Sequence, residues 1–125
     1  MPRFVHFEIN ANNVEKAAAF YREVFGWEIS KWDGPMDYRL VKTGERDQYG
    51  IDGAIFNSED MFQGTVNTLD VPDLKAHIEK VKAHGGAVLG EINFIPGVGH
   101  QVYCRDVEGN LFGMLEPDPA MSQQQ

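Results

Sequence analysis

Apolar and polar residues alternate along residues 4–9 of the chain. The two faces of this run are Val5, Phe7 and Ile9 on one side and Phe4, His6 and Glu8 on the other. Alternation of β-branched and aromatic residues with polar ones predicts a β-strand with two different faces. The strand therefore presents His6 on its more polar face, where it is a metal ligand, a catalytic base or an ordinary core residue.

The periodicity changes to helical spacing directly after this strand. The stretch "NANN" supplies turn and N-cap residues, and apolar residues then recur from Val14 to Val24 until Gly26 ends the helix. Three strand-like runs follow, "WEISKW", "DYRLVKT" and "GIDGAIFN", with polar loops between them. Residues 3–57 therefore predict one β-α-β-β-β unit.

The same order of elements restarts after the polar stretch 57–64. A strand-like run is followed by a helix that begins near Pro72 and ends at a glycine pair, and three more strand-like runs come after it. This pattern predicts a second β-α-β-β-β unit over residues 64–117 and a flexible tail at 118–125.

The two units share one register when the second is shifted by 60 residues. Aligned pairs include Gly26 with Gly86, Gly53 with Gly113, and His6 with Val66. An internal repeat constrains a fold more strongly than a single motif. We therefore predict one α+β domain, residues 1–125, whose two units curl their sheets around a shared concavity in a half-open, barrel-like cup.

Composition narrows the range of partners. The chain has 125 residues, enough to bury a core without disulfides or metal, and its formal net charge of −8 argues against nucleic acid or an anionic membrane as a partner. The single cysteine, Cys104, cannot form an internal bridge, which favours a reducing compartment. With neither a leader-like nor a membrane-spanning run, we expect a cytoplasmic protein.

Three stretches carry a resemblance to the vicinal oxygen chelate superfamily, which includes glyoxalase I, bleomycin-resistance proteins and extradiol dioxygenases. They are "HFEINANNVEKAAAFYREVFGW", "DVPDLKAHIEKVKAHGG" and "IPGVGHQVYCRDVEGNLFGMLEP". The last resembles the family's final hairpin, with Val107 where a proline is usual. The resemblance covers residues 3–117 and implies the tandem fold. It also implies a homodimer, although the sequence does not decide whether units pair within or between chains.

In metal-using members of this superfamily, the ligands come from the first and last strand of each unit. The matching positions here are His6, Gly53, Val66 and Gly113. A catalytic divalent site needs about three protein ligands, and these positions supply one. Asp52 and Glu116 stand an odd number of residues from the matching positions Gly53 and Gly113, which would turn their side chains to the other face. We therefore expect no metal and no other cofactor, and the resemblance implies the branch related to lactoylglutathione lyase that lacks its ligand set.

Polar residues in both units are candidates for contact with a small organic molecule. These ligand-binding candidates are His6, Glu8, Thr68, His100, Tyr103 and Arg105. His6 is either an imidazole base oriented by a carboxylate or a hydrogen-bonded residue of a partly wet cavity. His100 or Arg105 either holds an oxyanion or belongs to the strand surface. Strand parity puts Gln101, Tyr103 and Arg105 on one face, and Val102 and Cys104 on the other, without showing which face is inward.

Apolar residues and glycines at the corresponding strand positions predict the lining of the cup. They are Phe4, Ile51, Gly53, Ile55, Val66, Leu111, Gly113 and Leu115. An apolar concavity with a few polar groups is typical of a small-molecule site, so we expect an organic ligand there. Trp27, Trp32, Tyr38 and Phe62 are either a pocket lining or core residues. Cys104 is interpreted as a buried structural residue, because four strand residues, about 13 Å, separate it from His100.

Three functions fit these features. The first is a metal-independent member of the superfamily that binds a small organic molecule, with no reaction assigned, so that enzymatic activity is open. The second is a metal-dependent lyase, isomerase or dioxygenase with ligands elsewhere. The third is a non-catalytic sequestering or interaction module. Metal content separates the first two, and stabilisation by a small molecule separates the first from an interaction module.

Overall fold

The computed structural model describes residues 2–33, 37–57 and 64–119. Its elements are β1 (Phe4–Asn10), α1 (Val14–Phe25), β2 (Glu28–Lys31), β3 (Arg39–Lys42), β4 (Asp52–Phe56), β5 (Gly64–Asp70), α2 (Leu74–Ala83), β6 (Ala87–Ile95), β7 (Gly99–Arg105) and β8 (Leu111–Pro117). The α+β class and the tandem β-α-β-β-β order are confirmed. Within the described part of the chain, neither helix is long and apolar enough to cross a membrane.

The first compact unit comprises Val5–Val66. Its strands lie in the order β2-β3-β4-β1, with β1 and β4 parallel and β3 antiparallel to both β2 and β4. Helix α1 starts where Asn13 accepts a hydrogen bond from the Lys16 amide at 2.9 Å. It ends at Gly26, whose φ of 73° is the left-handed conformation that glycine adopts without strain. The predicted helix end is confirmed.

Helix α1 covers one face of this sheet. The buried residues of the core beneath it are Val14, Ala18, Val41 and Ile55, and Phe7, Ile9, Tyr21, Trp27 and Ile29 pack against them. Trp27 stacks on Tyr21 with ring centroids 4.7 Å apart, so this tryptophan is a core residue. His6 and Glu8 alternate with Phe7 and Ile9 and therefore lie on the opposite face.

The predicted lining is wrong at Gly53 and Ile55. Ile55 is fully buried in the α1 core, and Gly53 pairs with Phe7, whose ring would lie 2.6 Å from an added Cβ atom. Both residues therefore face α1 rather than the side of His6. The parity assigned to Asp52 is wrong for the same reason, because Asp52 is the β4 partner of His6 and shares its face.

The second compact unit comprises Met1–Phe4 together with Asn67–Gln125. Its strands lie in the order β5-β8-β7-β6. Helix α2 is capped by Asp73, which accepts from the Ala76 amide at 3.1 Å, and by Glu116, whose Oε1 accepts from the Leu74 amide at 2.9 Å. The backbone of Arg3 pairs with Asp70 through two hydrogen bonds, of 3.0 and 3.2 Å.

Helix α2 covers a separate core in this unit. Its buried members are Val71, Leu74, Ile78, Val102, Cys104 and Met114. Because Val102 and Cys104 face α2, strand alternation puts Tyr103 and Arg105 on the face turned away from the helix. Gly113 and Leu115 alternate with Met114 on β8 and share that outer face.

The interpretation of Cys104 as a structural residue agrees with its position in the α2 core. The thiol is free and fully buried. Burial raises the pKa of Cys104 to about 11.

Candidate functional site

A chain of three polar side chains lies on the face of the first unit turned away from α1. The hydroxyl of Tyr38 donates a hydrogen bond to Oε2 of Glu8 at 2.8 Å, and His6 Nε2 lies 3.0 Å from the same hydroxyl. Glu8 is only 6 % exposed, and His6 and Tyr38 are half-buried. The structure therefore joins His6 and Glu8, which sequence reasoning placed together, through Tyr38, whose ring was expected either in a pocket lining or in the core.

The direction of these hydrogen bonds fixes the protons on His6. A tyrosine hydroxyl carries one proton, and here that proton is directed to the carboxylate of Glu8. Nε2 of His6 must consequently be the donor to the Tyr38 oxygen. In a neutral imidazole the other nitrogen, Nδ1, is then unprotonated and can only accept a hydrogen bond or a proton.

Burial keeps this imidazole neutral. Desolvation lowers the pKa of His6 below its ordinary value of 6.5, while the negative charges of Glu8 and Asp52 raise it by less. A half-buried histidine that is uncharged at neutral pH and has a defined tautomer is suited to hydrogen bonding or general base chemistry.

Two features hold Tyr38 in place directly before β3. Its carbonyl accepts from the Trp32 amide at 2.7 Å, and the next residue, Arg39, forms ion pairs with Glu15 of α1 and with Asp37. These contacts tie the segment that carries the hydroxyl to β2 and to the helix. The geometry at His6 is therefore supported by backbone and side-chain contacts within the same unit.

Two aromatic rings pack against the ring of Tyr38. Tyr38 meets Trp32 edge to face at 6.0 Å between ring centroids and packs against Phe56 at 5.5 Å. Trp32 is half-buried, whereas Phe56 is buried. Phe62, the remaining predicted aromatic, lies outside the described residues. The site thus combines one polar chain with an apolar, aromatic wall.

The donor groups near His6 do not fit a divalent metal site. Asp52 faces the same side as His6, but its Oδ1 accepts from the amide of Thr43 at 2.8 Å, and Glu8 accepts from Tyr38. Across residues 2–33, 37–57 and 64–119, no group of three or more His, Cys, Asp or Glu side chains is arranged to hold a metal ion.

In the second unit, the structure separates the predicted ligand residues into two sets. Thr68 and Tyr103 are paired through Gly113, which lies between them in the sheet, and all three are buried. An added Cβ on Gly113 would lie 2.7 Å from the Thr68 hydroxyl, so the threonine fills the space beside this glycine. His100 lies on the opposite face of β7 from Tyr103 and is exposed, and the centroid of its ring is 4.9 Å from that of Phe94.

Arg105 has a structural partner at the end of β7. Its Nη1 donates to the carbonyl of Gly109 at 2.9 Å, which braces the turn between β7 and β8. An oxyanion at Arg105 would have to share the guanidinium with this turn.

Two residues predicted to line the cup, Phe4 and Leu111, line a groove of about 420 Å³ in the second unit. The other residues of the groove are Asn67, Leu69, Asp106, Asn110 and Phe112. Phe112 also packs against the α2 core, so the groove adjoins that core. Of the remaining predicted lining residues, Val66 is fully buried, and Ile51 and Leu115 are half-buried.

Comparison with known proteins establishes the family. Residues 3–44 match the bleomycin resistance protein-like N-terminal family. A glyoxylase-like domain-containing protein of Didymella fabae is 33% identical over 108 residues, with 82% of this chain and 84% of that protein covered. Two mycobacterial relatives are 30% identical over 118 residues, and the chain spans 43% of their length.

Solved structures share the fold at lower identity. Streptomyces coelicolor methylmalonyl-CoA epimerase superposes with a TM-score of 0.72 at 16% identity, covering 94% of this chain and 95% of that one. A Vibrio splendidus member of the glyoxalase/bleomycin resistance protein/dioxygenase superfamily superposes with a TM-score of 0.63 at 18% identity, covering 94% of this chain and 100% of that one. The fold and the relatives define a glyoxalase-like protein. This chain belongs to the glyoxalase/bleomycin resistance/dioxygenase superfamily, as the sequence resemblance predicted.

Proposed function

We propose that this protein binds a small organic molecule at His6 without the help of a metal. The observation that carries the proposal is the hydrogen-bond chain from His6 through Tyr38 to Glu8, which leaves Nδ1 of a neutral imidazole as an acceptor. Nδ1 makes no hydrogen bond to the residues that the structure describes. A ligand with a hydroxyl or N–H group could donate a hydrogen bond to this nitrogen.

The surroundings of His6 define the rest of the ligand. Trp32 and Phe56 flank Tyr38 with aromatic rings, and apolar walls with a few directional polar groups are the usual form of a small-molecule site. We therefore expect a ligand with a flat apolar body and one acidic hydroxyl or N–H group.

Catalysis by the same histidine is the second candidate. The lowered pKa of His6 makes the imidazole available as a base at neutral pH, and the Tyr38–Glu8 pair would stabilise the imidazolium formed when Nδ1 takes a proton. In that case the ligand would be the substrate, and its hydroxyl or N–H group would carry the proton that His6 removes. The binding function does not require this step.

The binding experiment compares 2-naphthol with its methyl ether, 2-methoxynaphthalene, because the two differ by one hydrogen-bond donor. We expect naphthol to bind about tenfold more tightly, the worth of roughly one hydrogen bond, and to raise the melting temperature. His6→Phe keeps a planar ring but removes the Nδ1 acceptor, so it should lose the preference. His84→Phe, at the exposed histidine that caps α2, is the matched control. Equal affinity for both compounds in the wild type would contradict the proposal.

The absence of a metal requirement is tested by elemental analysis of untagged protein purified without chelator, repeated after incubation with nickel, zinc, manganese and iron(II). We expect less than about 0.1 metal ion per chain, because a catalytic site needs about three ligands. Stoichiometric metal would contradict this and favour a metal-dependent lyase, isomerase or dioxygenase.

We further propose that the protein is a homodimer in the cytoplasm. Its free, buried Cys104 fits a reducing compartment, and the family resemblance supports dimerisation. Light scattering coupled to gel filtration distinguishes a dimer from a monomer of 14.1 kDa.

A further inference from the structure

One buried polar group in the second unit has no hydrogen-bond partner. Gln101 lies on β7, on the face turned away from α2, and is 8 % exposed. Among the described residues, its Nε2 has no hydrogen-bond partner. Buried amide groups are almost always paired, and an unpaired one is costly. This donor therefore calls for a physical explanation.

The orientation of the Gln101 amide is set by its neighbour on β6. Nδ2 of Asn93 donates to Oε1 of Gln101 at 3.5 Å, which turns the carbonyl towards β6 and the NH2 group away from it. Reversing the Gln101 amide alone would put two NH2 groups face to face, and reversing both amides would leave the Gln101 carbonyl unpaired in place of its NH2 group. The contact with Asn93 therefore satisfies one end of the buried amide and leaves the other end, Nε2 in the structure, without a partner.

A bulge in β6 brings Asn93 to this position. Leu89 pairs with Tyr103 and Asn93 pairs with Gln101, so four residue steps on β6 oppose two on β7. Gly90, with a φ of 72°, adopts the left-handed conformation inside the bulge. The irregularity lies on an edge strand, beside the buried amide.

We propose that Nε2 of Gln101 is the donor of a second small-molecule site, which takes a carbonyl-type oxygen: a ketone, amide or carboxylate. Leu115, the β8 partner of Gln101, supplies an apolar flank, and Tyr103 lies two residues along the same face. The ligand approaches past Asn93, which is exposed and held to Gln101 by one long hydrogen bond. This inference is independent of the site at His6.

An apolar residue of the same length would suit the free protein better than glutamine at this position. Gln101→Met keeps the shape of the side chain and removes the unpaired donor, and the exposed Asn93 can turn to water. We expect the melting temperature of the free variant to rise by about 3 °C. A residue that serves only the fold would give the opposite sign.

The binding test uses 15N-labelled protein and follows the side-chain NH2 signals of Gln101 during titration with benzamide and benzoate. We expect saturable shifts of these signals with at least one probe, and loss of the response of neighbouring β7 and β8 amides in Gln101→Met. The two probes distinguish a neutral carbonyl from a carboxylate. Gln48→Met, the same change at an exposed glutamine whose Oε1 accepts from the Glu45 amide, should leave the response intact.

Either of two results would overturn the site. One is a wild type whose Gln101 signals do not respond to either probe. The other is a Gln101→Met variant that melts lower than the wild type and still responds to the probes, since an internal water or another protein group would then already satisfy the amide. If the variant fails to fold, the response of the wild-type NH2 signals decides the question alone.

Discussion

Replacing Tyr38 by phenylalanine removes one hydroxyl and leaves the ring in contact with Trp32 and Phe56. The lost hydroxyl donates at 2.8 Å to Glu8, a carboxylate that is 6 % exposed. A hydrogen bond to a buried charged group contributes about 2 kcal/mol. With an unfolding entropy of about 0.26 kcal/mol/K for a chain of this length, the melting temperature should fall by about 8 °C.

Urea unfolding followed by tryptophan fluorescence measures the loss, and thermal melting checks it. Tyr49→Phe is the matched control, because Tyr49 is fully exposed and the same atom is removed there. The coupling between Tyr38→Phe and Glu8→Gln in a double-mutant cycle should be about 2 kcal/mol. A Tyr38→Phe variant within about 0.5 kcal/mol of the wild type, or one no less stable than Tyr49→Phe, would refute the chain as a stabilising element.

Three further predictions concern single residues. Burial lowers the pKa of His6 below its unfolded value of 6.5, so the folded state binds fewer protons at this residue than the unfolded state does. The contribution of His6 to stability is therefore complete above pH 6.5 and falls as the pH drops below that value. The urea midpoint measures this change. Gly53→Ala should destabilise the protein by about 3 kcal/mol, because the new Cβ would meet the carbonyl oxygen of Phe7 at 2.3 Å; thermal melting reports this. Cys104, with a pKa of about 11 and full burial, should react with a thiol reagent only after unfolding.

Each of these has a direct control. The dependence of stability on pH below 6.5 should weaken in His6→Gln, and an unchanged slope would assign it to other groups. Gly44→Ala meets only the flexible end of Gln48, at 2.9 Å, and should be tolerated; equal damage at both glycines would contradict the argument from close packing. Labelling of Cys104 in the native protein at the rate of an exposed thiol would show that the α2 core opens readily.

The elements and their order could be predicted from sequence because the hydrophobic period changes clearly from two to about 3.6 and back. The face of β4 could not, because "GIDGAIFN" carries apolar residues on both faces: Ile55 faces α1, and Ala54 and Phe56 are buried on the other side. Without polar alternation, a one-residue slip changes nothing in the pattern. That ambiguity misassigned Gly53 and Asp52.

The candidate site depended on contacts that a linear pattern does not contain. His6 and Glu8 are two residues apart on one strand, so their proximity followed from strand geometry alone. The hydroxyl that joins them comes from Tyr38, 30 residues beyond Glu8, in a run that could equally have placed the ring in the core. Gln101 gave even less signal, because an unpaired amide is recognised only when every neighbour is known.

The two hydrogen bonds between Arg3 and Asp70 give the chain an unexpected sensitivity at its beginning. Residues before Val5 belong to the compact unit formed by the second half of the sequence, so a cleavage scar or a short deletion there would loosen strand β5 rather than the neighbouring β1–α1 segment. Cutting the gene at the repeat boundary would likewise give two unequal fragments. The first would carry a few residues without their partner, and the second would lack the acceptor for the amide of Asp70.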